Sequence, residues 1–159
     1  MAKGNGCTVF NEKGEIVYRI DDYDDKGSSE VYLMDLRGKV LFTILRRLWL
    51  FGRRKVYKGD YSKLNKEKPK FQVTKRGRVI LRSENAEATC YKLKASAGKS
   101  ALFKIIDSRG GIVAEARRKQ SPSGVLLGDD VLTLIVEPYV DHSFVMALAT
   151  VYGLMLRKL

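Results

Sequence analysis

Few residues in this chain have the types and spacing that chemistry needs. Its one histidine, His142, stands beside Asp141. Such a pair could relay a proton, but no nucleophile falls at the spacing of a known triad. The pair reads better as the start of a helix. Carboxylates gather at DDYDDKG (21–27) and GDD (128–130). The first has oxygen-ligand character but lacks the loop spacing and closing glutamate of an EF-hand, so it reads as a solvated hairpin loop. Cys7 and Cys90 form no C-x-x-C pair and sit in or beside strand-like runs, as small apolar residues do. GRRKVYKGD (52–60) is not a phosphate-binding P-loop. The expectation is a protein with no catalytic residue, no metal and no cofactor.

Positive charge is the stronger signal. The 159 residues carry 30 Lys and Arg against 18 Asp and Glu, a net charge of +12. A balance this basic points to an anionic partner: acidic phospholipid, nucleic acid or an acidic protein. The densest stretch, 45–70, holds Arg46, Arg47, Arg53, Arg54, Lys55 and Lys58, interleaved with Trp49, Phe51, Tyr57 and Tyr61. Further groups are Arg76, Arg78 and Arg82, then Arg117, Arg118 and Lys119. Neighbours on a strand point to opposite faces, so adjacent arginines cannot both face outward unless they lie in a turn. Arg53, Arg54 and Lys55 follow Gly52, which favours a turn tip. Arginine grips phosphate bidentately, and Trp49 and Phe51 could dip into a membrane interface. The plainer reading of each patch is a solvated surface that keeps the protein dispersed.

The elements that must position these residues follow a repeated grammar. NEKGEIVYRI (11–20), DLRGKVLFTI (35–44), TKRGRVILRS (74–83) and DSRGGIVAEA (107–116) each set polar residues and a glycine before an aliphatic, β-branched run. Glycine supplies the positive φ of a tight turn, so each segment predicts a β-hairpin. The uneven spacing excludes a strict repeat architecture. LWLF (48–51), RKVYKG (54–59), ATCYKLKA (88–95), SGVLLG (123–128) and LTLIVEP (132–138) add strands, about eleven or twelve in all. So many strands tend to close or to split into sheets, predicting a barrel or sandwich.

One helix is expected, over 142–156. Residues 143–156 carry no charge. Their rise of about 21 Å falls short of a hydrocarbon core of about 30 Å. They are apolar on every side, unlike an interfacial helix, so the segment reads as a helix buried in a core. Asp141 or Ser143 could cap it, and Arg157 and Lys158 suit its C-terminal dipole. The length predicts a single domain, 1–159. No apolar leader opens the chain and no myristoylation motif is present, and the two unpaired cysteines fit a reduced intracellular compartment.

The phrases GNGCTVF (4–10), GEIVYRIDDY (14–23), EVYLMDLRGKVLFTILRR (30–47), VYKGD (56–60) and SGVLLGDDVLTLIVEPYVDHSFVMALATV (123–151), in that order, resemble the plant LURP-one-related proteins. That family is similar to the tubby C-terminal domain and the phospholipid scramblases. The resemblance implies a twelve-stranded antiparallel β-barrel around a hydrophobic C-terminal helix. Only Met-Ala-Lys precedes GNGCTVF here, where family members carry a strand-forming segment. The expectation is therefore a barrel short of its first strand, with three outcomes: an open barrel, an edge paired with a second molecule, or a shortened splice form or gene model; a monomer is expected, with a dimer through the exposed strand edge as the alternative. The resemblance also implies binding to anionic phospholipid or phosphoinositide as a class, peripheral membrane tethering in the cytoplasm, and a link to plant defence. Nucleic-acid binding as a membrane-tethered or nuclear regulator, and a protein-interaction scaffold without a lipid ligand, stand as alternatives. Scramblase-like insertion would need a longer helix.

Overall fold

In the computed structural model the described residues are 7–21, 30–46, 52–60, 69–82, 87–96, 101–118 and 132–155. They form eleven strands and one helix. The strands are β1 (Cys7–Phe10), β2 (Ile16–Asp21), β3 (Glu30–Asp35), β4 (Val40–Leu45), β5 (Arg54–Lys58), β6 (Phe71–Val73), β7 (Arg78–Arg82), β8 (Glu87–Ala95), β9 (Ala101–Asp107), β10 (Ile112–Arg118) and β11 (Leu132–Val136), followed by α1 (His142–Met155). All strands join one sheet in sequence order, each antiparallel to the next. The strand runs at 48–51 and 123–128 lie outside the described residues.

The four glycine-containing segments are four turns of one design. Asn11, Asp35 and Asp107 each open a turn with a side-chain oxygen that accepts the backbone N–H groups two and four residues on, at 2.8–3.0 Å. Thr74 does the same for Arg78 N–H at 3.1 Å. The fourth residue of every turn is glycine with positive φ, and its N–H donates to the carbonyl of the turn-opening residue. Gly77 has a second reason to lack a side chain. A Cβ there would lie 2.3 Å from the Leu93 carbonyl oxygen, because Gly77 O accepts Leu93 N–H at 2.7 Å and the turn sits against β8.

The apolar helix is inside, as its composition predicts. Val145, Ala147, Leu148 and Val151 are completely buried. They pack in one cluster with Ile20, Val31, Leu33, Ile44, Val56, Val73, Val79, Leu93, Ile105 and Val113, from strands β2 to β10. Phe144 meets Phe71 of β6 edge-on at 5.1 Å and Tyr91 of β8 at 5.4 Å, and Tyr152 stacks on Phe103 of β9 at 4.2 Å. Strands far apart in sheet order thus touch one helix, so the sheet curls around it. Asp141 caps the helix: its carboxylate accepts Ser143 N–H at 2.9 Å, Phe144 N–H at 3.4 Å and the Ser143 hydroxyl at 2.7 Å. The Thr150 hydroxyl, buried among apolar neighbours, donates to the Met146 carbonyl at 2.8 Å. Among the described residues the sheet stays open: β1 and β11 are its two edges, and no ladder joins them.

Candidate functional site

The basic residues are distributed unevenly over this sheet. Consecutive strands alternate in direction, so all odd-numbered strands begin at one end. At or near that end lie Arg46, just after β4; Arg53, just before β5; Lys75 and Arg76, in the β6–β7 turn; Arg78, which opens β7; and Arg117 and Arg118, which close β10; with them are two carboxylates, Asp21 at the end of β2 and Glu30 at the start of β3. The turns at the opposite end, Asn11–Glu15, Asp35–Lys39 and Asp107–Gly111, mix both signs. The aliphatic stem of Lys75 lies against Gly52, where an added Cβ would come within 2.8 Å of the Lys75 Cε. That contact brings the β6–β7 turn beside the entry to β5.

Between these ends the outer face of the sheet carries a block of cations. Tyr91 and Leu93 turn inward to the helix and core, so strand alternation sends Lys92 and Lys94 outward. Arg78 is directly opposite Lys92, and Lys94 is directly opposite Lys104. Arg78, Lys92 and Lys94 are exposed and Lys104 is half-buried. None of the four forms an ion pair with a described carboxylate. Glu115 faces Lys104 from β10, but its carboxylate turns to the Arg117 guanidinium, with contacts of 3.1 and 3.2 Å. Like charges set directly across a ladder destabilise a sheet, and this face holds two such pairs on three adjacent strands.

The residues singled out from the sequence fall into several places. Arg54 is not at a solvent-facing turn tip. It is the first residue of β5, faces inward and is 7% exposed. Its Nη1 donates to the Leu45 carbonyl at 3.1 Å and to the Arg46 carbonyl. Burial first, then the neighbouring Arg46 guanidinium, lowers its pKa. The side chain therefore clamps the chain where it leaves β4, and a headgroup cannot reach it as it would a loop tip. Arg46, Arg53 and Lys55 stay near the basic end and are partly exposed, whereas exposed Lys58 lies at the far end of β5. Arg117 is held by Glu115, whose hydrogen bonds raise its pKa. Arg118 is half-buried. Arg47, Trp49, Phe51 and Lys119 lie outside the described residues. Lys92, Lys94 and Lys104 were passed over because they are scattered in sequence, yet the alternation in YKLKA (91–95) places the first two on one face.

His142 begins α1 and is exposed, while the neighbouring Asp141 carboxylate is committed to the helix cap. Among the described residues no three His, Cys, Asp or Glu side chains gather as metal ligands. No helix among them is long and apolar enough to cross a membrane.

The LURP-one-related family model matches residues 1–153. The chain belongs to the LURP-one-related family. Protein LURP-one-related 4 of Arabidopsis thaliana is 45% identical over 94% of this chain and 71% of its own length. Protein LURP-one-related 11 of the same plant is 43% identical over the same shares, and protein LURP-one-related 3 is 37% identical over 97% and 74%. An X-ray structure of an Arabidopsis thaliana protein has the same fold, with a TM-score of 0.69 at 16% identity, covering 94% of this chain and 83% of that one. The sequence resemblance and the all-β architecture with one C-terminal helix are thus borne out for this LURP-one-related chain.

Proposed function

We propose that this LURP-one-related chain is a non-enzymatic domain that docks peripherally on membranes rich in anionic phospholipid, phosphoinositides included. The observation that carries this reading is the outer sheet face on which Arg78 opposes Lys92 and Lys94 opposes Lys104. A stability cost repeated on adjacent strands is explained by an external anion that relieves it. Arg53, Lys75 and Arg76 extend the same positive field toward the end where the odd strands begin. The proposed contact is electrostatic, and Val145, Ala147, Leu148 and Val151 of α1 are committed to the core. The link to plant defence that the family resemblance implies supports defence signalling as the process this docking serves.

Vesicle co-sedimentation tests the proposal. Full-length protein is mixed at physiological salt with phosphatidylcholine vesicles alone, with added phosphatidylserine, or with added phosphoinositide. Pelleting that rises with anionic lipid and falls with salt is expected. Equal pelleting on all three would end the proposal. Competition by duplex DNA that outmatches the acidic vesicles would shift the same face to nucleic acid.

A further inference from the structure

Strand register sorts the outer face of β7–β10 into two rows. Arg78 of β7 is opposite Lys92 of β8, Lys92 is opposite Ile106 of β9, and Ile106 is opposite Ile112 of β10. Two residues further along β8, Lys94 is opposite Lys104, which is opposite Glu115. Residues directly opposite one another share a face of the sheet, and alternation sends Lys92 and Lys94 outward. Ile106 and Ile112 therefore stand on the outer face, in the row of Arg78 and Lys92. Strands β9 and β10 are each paired on both sides, so neither isoleucine sits on a free edge.

Burial agrees with that placement. Ile105 and Ala114, opposite one another on the inner face, are buried in the core. Ile106 is half-buried, and Ile112 is 47% exposed. A lone exposed isoleucine needs no explanation, but two set directly across a ladder form one continuous apolar strip. The strip abuts the cations: Lys92 flanks Ile106 across the ladder, and Lys104 is two residues away on the same strand. Strands lie about 4.8 Å apart and alternate residues about 7 Å apart, so the two isoleucines and the four cations fit within about 14 Å by 7 Å. The sheet curls around α1, so a flat surface meets only a few strands at once, and β8 and β9 carry both kinds of side chain.

We infer that Ile106 and Ile112 enter the boundary between headgroups and acyl chains when this face meets an anionic membrane. Lysine stems lie along apolar surface while their ammonium groups reach water or phosphate, so Lys92 and Lys104 border the strip without blocking it. Resting on the docking proposed above, this contact adds an apolar component that salt does not screen. A lipid surface suits the strip better than a protein does. A stable protein interface takes about 800 Å² from each partner, far more than two isoleucines supply, whereas at a membrane the neighbouring cations supply the rest of the attraction.

The full chain and vesicles of phosphatidylcholine with phosphatidylserine and phosphoinositide provide the test. Ile106→Thr with Ile112→Thr keeps the β-branched shape that strands favour and removes apolar area. Partitioning should fall about fivefold, the loss expected for roughly 40 Å² of apolar contact, while its dependence on salt stays the same. Lys92→Gln with Lys94→Gln should instead flatten the salt dependence. Ile112→Trp should keep its partitioning, and lipids brominated in the upper acyl chain should quench its fluorescence beyond the quenching of the parent protein, whose one tryptophan is Trp49. Should the threonine variant fail to fold in a thermal melt, the quenching decides alone. Unchanged partitioning of a folded threonine variant, or no added quenching of vesicle-bound Ile112→Trp, would overturn the inference and leave electrostatic docking standing. A parent protein that binds none of these vesicles would remove the docking reading and the inference with it.

Discussion

Neutralising one lysine of each opposed pair separates a binding surface from a structural one. Lys92→Gln with Lys94→Gln removes the β8 members of Arg78–Lys92 and Lys94–Lys104. A cation near an anionic membrane surface contributes about 1 kcal/mol. Two removals should weaken partitioning onto acidic vesicles by about 2 kcal/mol, roughly thirtyfold. Stability should move the other way. Each like pair across a ladder costs about 0.2–1 kcal/mol, so relieving two should raise Tm by about 1–8 °C, at about 2–4 °C per kcal/mol for a chain of this size. The control is Lys39→Gln with Arg109→Gln, an equal loss of charge in the turns at the opposite end. It should change partitioning less than threefold if position rather than net charge governs docking. Vesicle titrations at two salt concentrations and thermal melts of all three proteins supply the numbers. Equal loss of partitioning in the two double variants would refute the assignment of the face. A lower Tm in the Lys92/Lys94 variant would refute the argument that the opposed cations carry an unrelieved cost.

Four further outcomes test the fold and its capping devices. Gly77→Ala should cost more than Gly38→Ala: both strain a positive φ by about 1–2 kcal/mol, but only Gly77 presses on a carbonyl, and urea unfolding of the two variants reads the difference. Arg54→Met should lower stability by about 1–3 kcal/mol by leaving the Leu45 and Arg46 carbonyls without their donor. Vesicle binding by the remaining folded Arg54→Met protein should be unchanged. Ala147→Asp should leave no cooperative thermal transition, because a carboxylate would be buried unpaired beside α1's apolar neighbours. The Asp141 carboxyl is held below its ordinary pKa, chiefly by the Ser143 hydroxyl. Its contribution is therefore complete above about pH 4 and is lost as pH falls through the lower folded-state value. Asp141→Asn should accordingly lower stability at pH 7, where the carboxylate's contribution is complete, and flatten the acid limb of the stability profile so that the two proteins converge at low pH.

Much of the architecture was legible because it rests on local rules. A turn-opening Asn, Asp or Thr followed three residues later by glycine is readable as a string, and all four instances are turns. The helix was readable because an uncharged segment too short to cross a membrane and apolar on every side has few places to go except a core. Arg54 shows where local reading fails. It sits between Arg53 and Lys55 and looks like part of a loop tip, but register with Val73 turns it inward. Only the chain's exit from β4, brought back alongside, provides the carbonyls that make its burial tolerable. The candidate face was missed for the converse reason. Arg78, Lys92, Lys94 and Lys104 are spread over 27 positions, and only the pairing of β7, β8 and β9 makes them neighbours. Counting charge density along the chain favours the 45–70 stretch, whereas charge density on a sheet is set by register.

The burial of the helix also constrains how a membrane can be engaged. Hydrophobic insertion needs apolar surface to spare, and the face of α1 formed by Val145, Ala147, Leu148 and Val151 has none. Withdrawing it would uncover the core of strands β2 to β10 at once, which makes helix release a global unfolding event rather than a switch. The proposed means of contact is the charged outer face, whose pull decays within about 8 Å at physiological salt. Docking on those terms is shallow, reversible and steeply dependent on lipid charge.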